Sequence, residues 1–136
     1  MTDLPFTLDY GDVLNPAPRL RVDDGVVFGI AGGAEGLVSV AWLEDSGALE
    51  AAVEEDLTRM LSEPAMVLVD YQPTIVGDVA AVRTFVLDAG ELASAREQWR
   101  LMAAGRRWTV SAVTALADQP VWGPKLADVA TTFRAT

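Results

Sequence analysis

The residues best suited to chemistry lie in 96-REQWRLMAAGRRWTVSAVTAL-116, where arginines and tryptophans interleave along two extended segments joined at Ala104-Gly105. Guanidinium and indole groups side by side can bind a nucleic acid strand, line a cleft, or form a protein-recognition face. Over 95–103, strand alternation puts Arg96, Gln98, Arg100 and Met102 on one face and Glu97, Trp99, Leu101 and Ala103 on the other. Over 106–116, Arg106, Trp108, Val110, Ala112, Thr114 and Leu116 share one face, and Arg107, Thr109, Ser111, Val113 and Ala115 the other. The expectation is that the arginines take the solvent side of central strands and pair with acids opposite them. The tryptophans then fill core beneath helices. Arg96, Gln98, Arg100 and Arg107 are the candidate protein-binding residues.

Other chemistries are limited by what the 136-residue chain lacks. With no histidine and no cysteine, it has no thiolate nucleophile, no disulfide, no imidazole triad and no zinc site of the usual kind. The glycine-rich 29-GIAGGAEG-36 has no G-K-[ST] ending and leads into a strand, so it reads as a hairpin turn rather than a phosphate cradle. Glu54-Glu55-Asp56 reads as the solvent side of a helix, and no D-x-D-x-D-G calcium loop occurs. No S-x-x-K or G-x-S-x-G accompanies the serines. The expectation is no catalytic, cofactor or metal residues. A net charge of −10 repels phosphate backbones and anionic lipids, which argues against nucleic acid. That charge is polarised: residues 83–107 hold five arginines against three acids, whereas residues 1–82 hold three arginines against fifteen acids.

The elements that must position these residues follow from periodicity. Alternating segments at 19–22, 26–30 and 37–43, separated by Asp23-Asp24-Gly25 and the glycine-rich turn, predict an antiparallel meander. Ser46 as N-cap, then Leu49, Val53, Leu57, Met60 and Leu61, predict an amphipathic helix over about 47–62, with Pro64 beyond it. Four extended segments follow, at 66–71 (extending to 76 at most), 79–87, 95–103 and 106–116. Asp118 as cap and Pro120 in the first turn predict a second helix over about 120–134, whose start Gly123 and Pro124 weaken. The order β-β-β-α-β-β-β-β-α is α+β: one domain over 1–136, with a mainly antiparallel sheet of six to seven strands covered by helices.

Taken together, 49-LEAAVEEDL-57, 75-IVGDVAAVRTFVL-87, 97-EQWRLM-102, 105-GRRWTVSAVTA-115 and 129-VATTFR-134 resemble the Mog/PsbP-like superfamily, within it the bacterial DcrB-like and LpqN-like proteins. Asp78 stands where that pattern usually has a second glycine, and Pro16 and Pro18 stand in a first segment that departs from it. The resemblance implies an α/β/α sandwich and a non-enzymatic binding module. Members of the superfamily include a Ran-binding protein, photosystem II extrinsic subunits, mycobacterial lipoproteins and chaperones of type VI effectors. The functional expectation is a cytoplasmic protein-binding module, a chaperone or adaptor for a secreted or membrane-directed protein, with neither signal peptide nor lipobox in view. It would act as monomer or homodimer, with a protein partner, no cofactor and no membrane insertion. The alternative is a carrier of a small ligand or lipid, held in a cavity between sheet and helices.

Overall fold

The computed structural model describes residues 4–15, 20–22, 25–29, 36–44, 47–90 and 93–136. Ser46, Asp23-Asp24 and residues 31–35 of the glycine-rich turn lie outside the described residues.

Strands β2 (Leu20–Val22), β3 (Gly25–Gly29) and β4 (Gly36–Leu43) form the predicted meander. Helix α1 (Leu49–Leu61) then carries the chain to β5 (Met66–Val76), and β6 (Val79–Asp88), β7 (Ser94–Ala103) and β8 (Arg106–Ala115) return by hairpins. The seven strands form one antiparallel sheet in the order β2-β3-β4-β8-β7-β6-β5. Strand β8 therefore docks on β4, and α1 must cross the sheet to start β5 at the far edge. That crossover lays α1 over the middle of one face, against β7 and β5. Helix α2 (Gln119–Ala130) packs on β8 and β4 from the opposite face. The result is the expected α/β/α sandwich.

Two turns are tight enough to specify their residues. Ala104 (φ 53°) and Gly105 (φ 73°) both sit in the left-handed region, as a type I′ hairpin between twisted strands requires. At the β5–β6 turn, Gly77 has φ 65°, and a Cβ there would stand 2.7 Å from Arg134 Nε.

The main core lies between the sheet and α2. Trp99 and Trp108 are buried there, as alternation predicted, with Val26, Phe28, Val38, Val40, Leu101, Leu126 and Phe133. The Trp108 indole N–H donates to the Ala103 carbonyl at 2.9 Å, so its polar end is satisfied. Phe6 sits among four rings, with centroids at 5.8–6.4 Å: Phe133, Trp108, Trp42 and Phe28. Its strand β1 (Phe6–Thr7) pairs antiparallel with β9 (Arg134–Ala135), and the Thr136 N–H donates to the Pro5 carbonyl at 3.0 Å.

Helix ends differ from expectation for local reasons. Ala48 occupies the N-cap of α1 and supplies no side-chain bond. Residues Leu116–Asp118 form a 3-10 turn that runs directly into α2, so Asp118 is already helical (φ −91°, ψ −10°) and makes no side-chain cap bond. The helix passes through Pro124 and stops at Ala130 rather than near 134, because β1 draws Arg134–Ala135 into a strand pair.

One polar atom in the α2 layer lacks a protein partner. The buried Thr114 hydroxyl makes no hydrogen bond and borders a void of about 10 Å³ lined also by Ala95, Ala112, Gln119 and Gly123. Because a buried unsatisfied hydroxyl is penalised by roughly 1–3 kcal/mol, isosteric Thr114→Val should leave the melting temperature unchanged or raise it. A drop of several degrees would mean that a water satisfies this hydroxyl.

Candidate functional site: the arginine face and the free sheet edge

The hairpin registers place the predicted residues in rows across the sheet. Ser111, Gln98, Thr84 and Tyr71 form one row from β8 to β5. Thr109, Arg100, Val82 and Pro73 form the next, while Arg96 lies beside Val113 and Val86, and Arg107 beside Leu43 and Met102. The sequence placed these arginines on one face correctly, but that face is not open to solvent where α1 lies on it.

Arg100 is the centre of a buried network. Its side chain is only 4% exposed. Nε donates to Asp56 Oδ2 at 3.1 Å, Nη1 to Thr84 Oγ1 at 3.1 Å, and Nη2 to Gln98 Oε1 at 2.8 Å. The Gln98 amide in turn donates to Ser111 Oγ at 2.9 Å. Burial pulls the Arg100 guanidinium below its usual value; Asp56 opposes this, and Arg96 and Arg107 push the same way as burial. Asp56 corrects the sequence reading. It shares the buried stripe of α1 with Ala52, Val53 and Leu57 instead of facing solvent. A lone acid between apolar positions at helical spacing was the signal for an inward ion pair.

The four candidate residues therefore divide. Gln98 and Arg100 are buried, Arg100 bonding α1 through Asp56 and Gln98 bracing Arg100, while Arg96 and Arg107 are half-buried at its margins. Neither of the latter has an acid within 4 Å among the described residues. Other arginines do pair across strands as expected: Arg83 with Glu97 and, at 2.7 Å, with Asp70, and Arg106 with Glu44 at 3.0 Å. Burial works against the Arg83 charge, but the two carboxylates outweigh it and raise its pKa.

The sequence did not single out the outer edge of β5. Being last in the sheet, this 11-residue strand pairs on one side only among the described residues. Val67, Val69, Tyr71 and Ile75 are all exposed, Ile75 to 66%. A register shift at Val69 bulges the strand, a common feature of edges. Counting from the turn pair Val76↔Val79, Pro73↔Val82 falls at a non-hydrogen-bonded position. The N–H that Pro73 lacks would thus point outward, which interrupts the free edge as natural sheets often do.

No protein-family model matches the chain, and no curated protein matches it by sequence. Solved structures do. A Pseudomonas aeruginosa protein of unknown function, PA94, described as a putative regulator, superposes with TM-score 0.69 at 17% identity, covering 93% of this chain and 94% of that one. Cyanobacterial PsbP (CyanoP) from Synechocystis sp. PCC 6803 gives TM-score 0.63 at 13% identity, covering 97% and 82%. LpqN, involved in cell envelope biogenesis of Mycobacterium tuberculosis, gives 0.54 at 10%, covering 97% and 79%. The chain spans 45% of the length of a similar Bacteroides thetaiotaomicron structure. These likenesses define the fold: an α+β sandwich of the kind seen in PsbP. LpqN shares that fold, as the sequence motifs of the chain implied.

Proposed function

We propose that the chain is a non-enzymatic, cytoplasmic protein-binding module, a chaperone or adaptor that takes an extended segment of its partner onto β5. The observation carrying this reading is the edge of β5, which among the described residues pairs on one side only and exposes Val67, Val69, Tyr71 and Ile75. The outward N–H of Tyr71 is held by Asp70 Oδ1 at 2.9 Å, so an added strand would have to displace that bond. Strand addition uses main-chain hydrogen bonds for affinity and alternate side chains for selectivity. In this reading Arg96 makes contacts beyond the edge, while Arg100 ties α1 to the sheet through Asp56 and is braced by Gln98. The fold shared with PsbP and LpqN is compatible with such a role. Among the described residues no helix is long and apolar enough to cross a membrane. Against α2 the void is only about 10 Å³, the scale of a single water, so the sheet–α2 layer has no room for a carried ligand.

A photo-crosslinking amino acid at position 71 in host cells should give a discrete protein adduct. The same group at Val121, an exposed α2 position, should not. Ile75→Lys should abolish the adduct while changing stability by no more than about 0.5 kcal/mol, as is usual for a surface site. Equal adducts from both positions, or an adduct indifferent to Ile75→Lys, would overturn the reading.

A further inference from the structure

A second feature lies on the α1 face, toward the ends of β4 and β8 and away from β5. Beside α1 is an open cleft of about 350 Å³, walled by Ala41 and Leu43 from β4, Arg107 and Thr109 from β8, and Asp56 and Arg59 from α1. Its volume falls within the range of about 300–1,000 Å³ typical of small-molecule sites. We propose that this cleft binds a carboxylate that carries an apolar group.

The charge argument starts from Asp56. This single carboxylate accepts from Arg100 at 3.1 Å and from Arg59 at 3.2 Å, so it has little left to offer a third guanidinium. Arg107 has no acid within 4 Å among the described residues. Its charge acts on Arg100 in the same direction as burial, so the two guanidiniums lie near one another in a molecule whose net charge is −10. Arg107 is half-buried, which removes part of its hydration. A planar guanidinium in that setting matches a carboxylate with two parallel hydrogen bonds. The Thr109 hydroxyl lies two residues along the same strand face and lines the same cleft. Arg59 also lines the cleft, where it donates to Asp56 at 3.2 Å and lies 3.7 Å from Glu55.

The apolar part follows from the opposite wall. Leu43 lies across from Arg107 in the β4–β8 register and is 47% exposed. A carboxylate held by Arg107 would direct its substituent onto this side chain, removing water from both. Inorganic phosphate satisfies the cation but leaves Leu43 wet, so it is the poorer ligand. Two sources carry the favoured chemistry: a short fatty acid, or the terminal carboxylate of a peptide ending in an apolar residue.

The experiment titrates the intact chain with hexanoate, with an acetylated dipeptide ending in free leucine, with that dipeptide as its C-terminal amide, and with inorganic phosphate, following amide shifts by NMR. Hexanoate or the free-acid peptide should move the resonances of residues 41–43 and 107–109, and the tighter of the two identifies the source. The amide and phosphate should bind about tenfold more weakly or worse. Arg107→Gln should lose about tenfold in affinity, and Arg107→Lys should lose less, because the charge remains and only the fork is gone. Arg134→Gln, which removes a surface guanidinium remote from the cleft, should change nothing. Equal binding of acid and amide, phosphate matching hexanoate, or an Arg107→Gln variant that melts like the parent and binds like it would each overturn the proposal. None of these results bears on cross-linking at position 71, so this site and the β5 edge stand or fall separately.

Discussion

Asp56→Ala is expected to destabilise the protein by about 3 kcal/mol, whereas Glu55→Ala, one residue away, should change stability by less than about 0.5 kcal/mol. Both remove an acid from α1, and only burial separates them. Glu55 is 76% exposed and reaches Arg59 at 3.7 Å, a surface pair of the kind that contributes little. Asp56 is the sole acid on Arg100, whose other partners, Thr84 and Gln98, are neutral. Removing Asp56 strands a guanidinium beneath α1, and breaking such a buried pair typically costs about 3–5 kcal/mol. Because Asp56 itself is 26% exposed, the lower end of that range applies. Replacing the pair together, as Asp56→Leu with Arg100→Met, should recover most of the loss, since both desolvation penalties disappear. Urea midpoints for the three variants decide the matter. Equal midpoints for Asp56→Ala and Glu55→Ala would show that α1 is held by its apolar stripe alone.

Phe6→Ala should have a comparable or larger effect, about 3–5 kcal/mol. Deleting this ring empties the centre of a cluster in which Phe28, Trp42, Trp108 and Phe133 all lie within 6.4 Å, centroid to centroid. Those neighbours belong to the sheet and to the segment after α2, so the space cannot close without moving one against the other. Near-UV circular dichroism should weaken with stability, because Trp42 and Trp108 lose the ring that orients them. Thr7→Ala, at the exposed position of the same short strand, should be nearly neutral. A Phe6→Ala variant within about 1 kcal/mol of the parent would mean that β1 contributes little to the core.

Much of this architecture was legible because it is written in local periodicity. Alternation placed Trp99 and Trp108 in the core, and helical spacing gave α1 to within about two residues at its start. The sandwich followed from the order of elements. Features decided by distant partners were less visible. Nothing around Phe6 reveals that it pairs with Ala135, and nothing in Asp56 alone shows that α1 will cross the arginine-bearing strands. Glu97 alternates onto the tryptophan face, yet it is accommodated there by Arg83 of the neighbouring strand. For the candidate site, the shared face of Arg96, Gln98, Arg100 and Arg107 was readable, but the division into two covered and two marginal residues was not. The free edge of β5 was missed for a similar reason: an edge is a property of strand order, which pairwise turn signals do not determine.

The pairing of β1 with β9 also has a consequence for synthesis on the ribosome. Phe6 is synthesised roughly 130 residues ahead of its partner Ala135, on the order of ten seconds at typical elongation rates. Throughout that interval the aromatic core lacks its lid, because Phe133 and the strand that clamps Phe6 do not yet exist. The nascent sheet would therefore wait with Trp42 and Trp108 uncovered, a period in which an apolar chain end needs shielding. Closure is then a late event that joins two segments with the whole seven-stranded sheet between them in sequence.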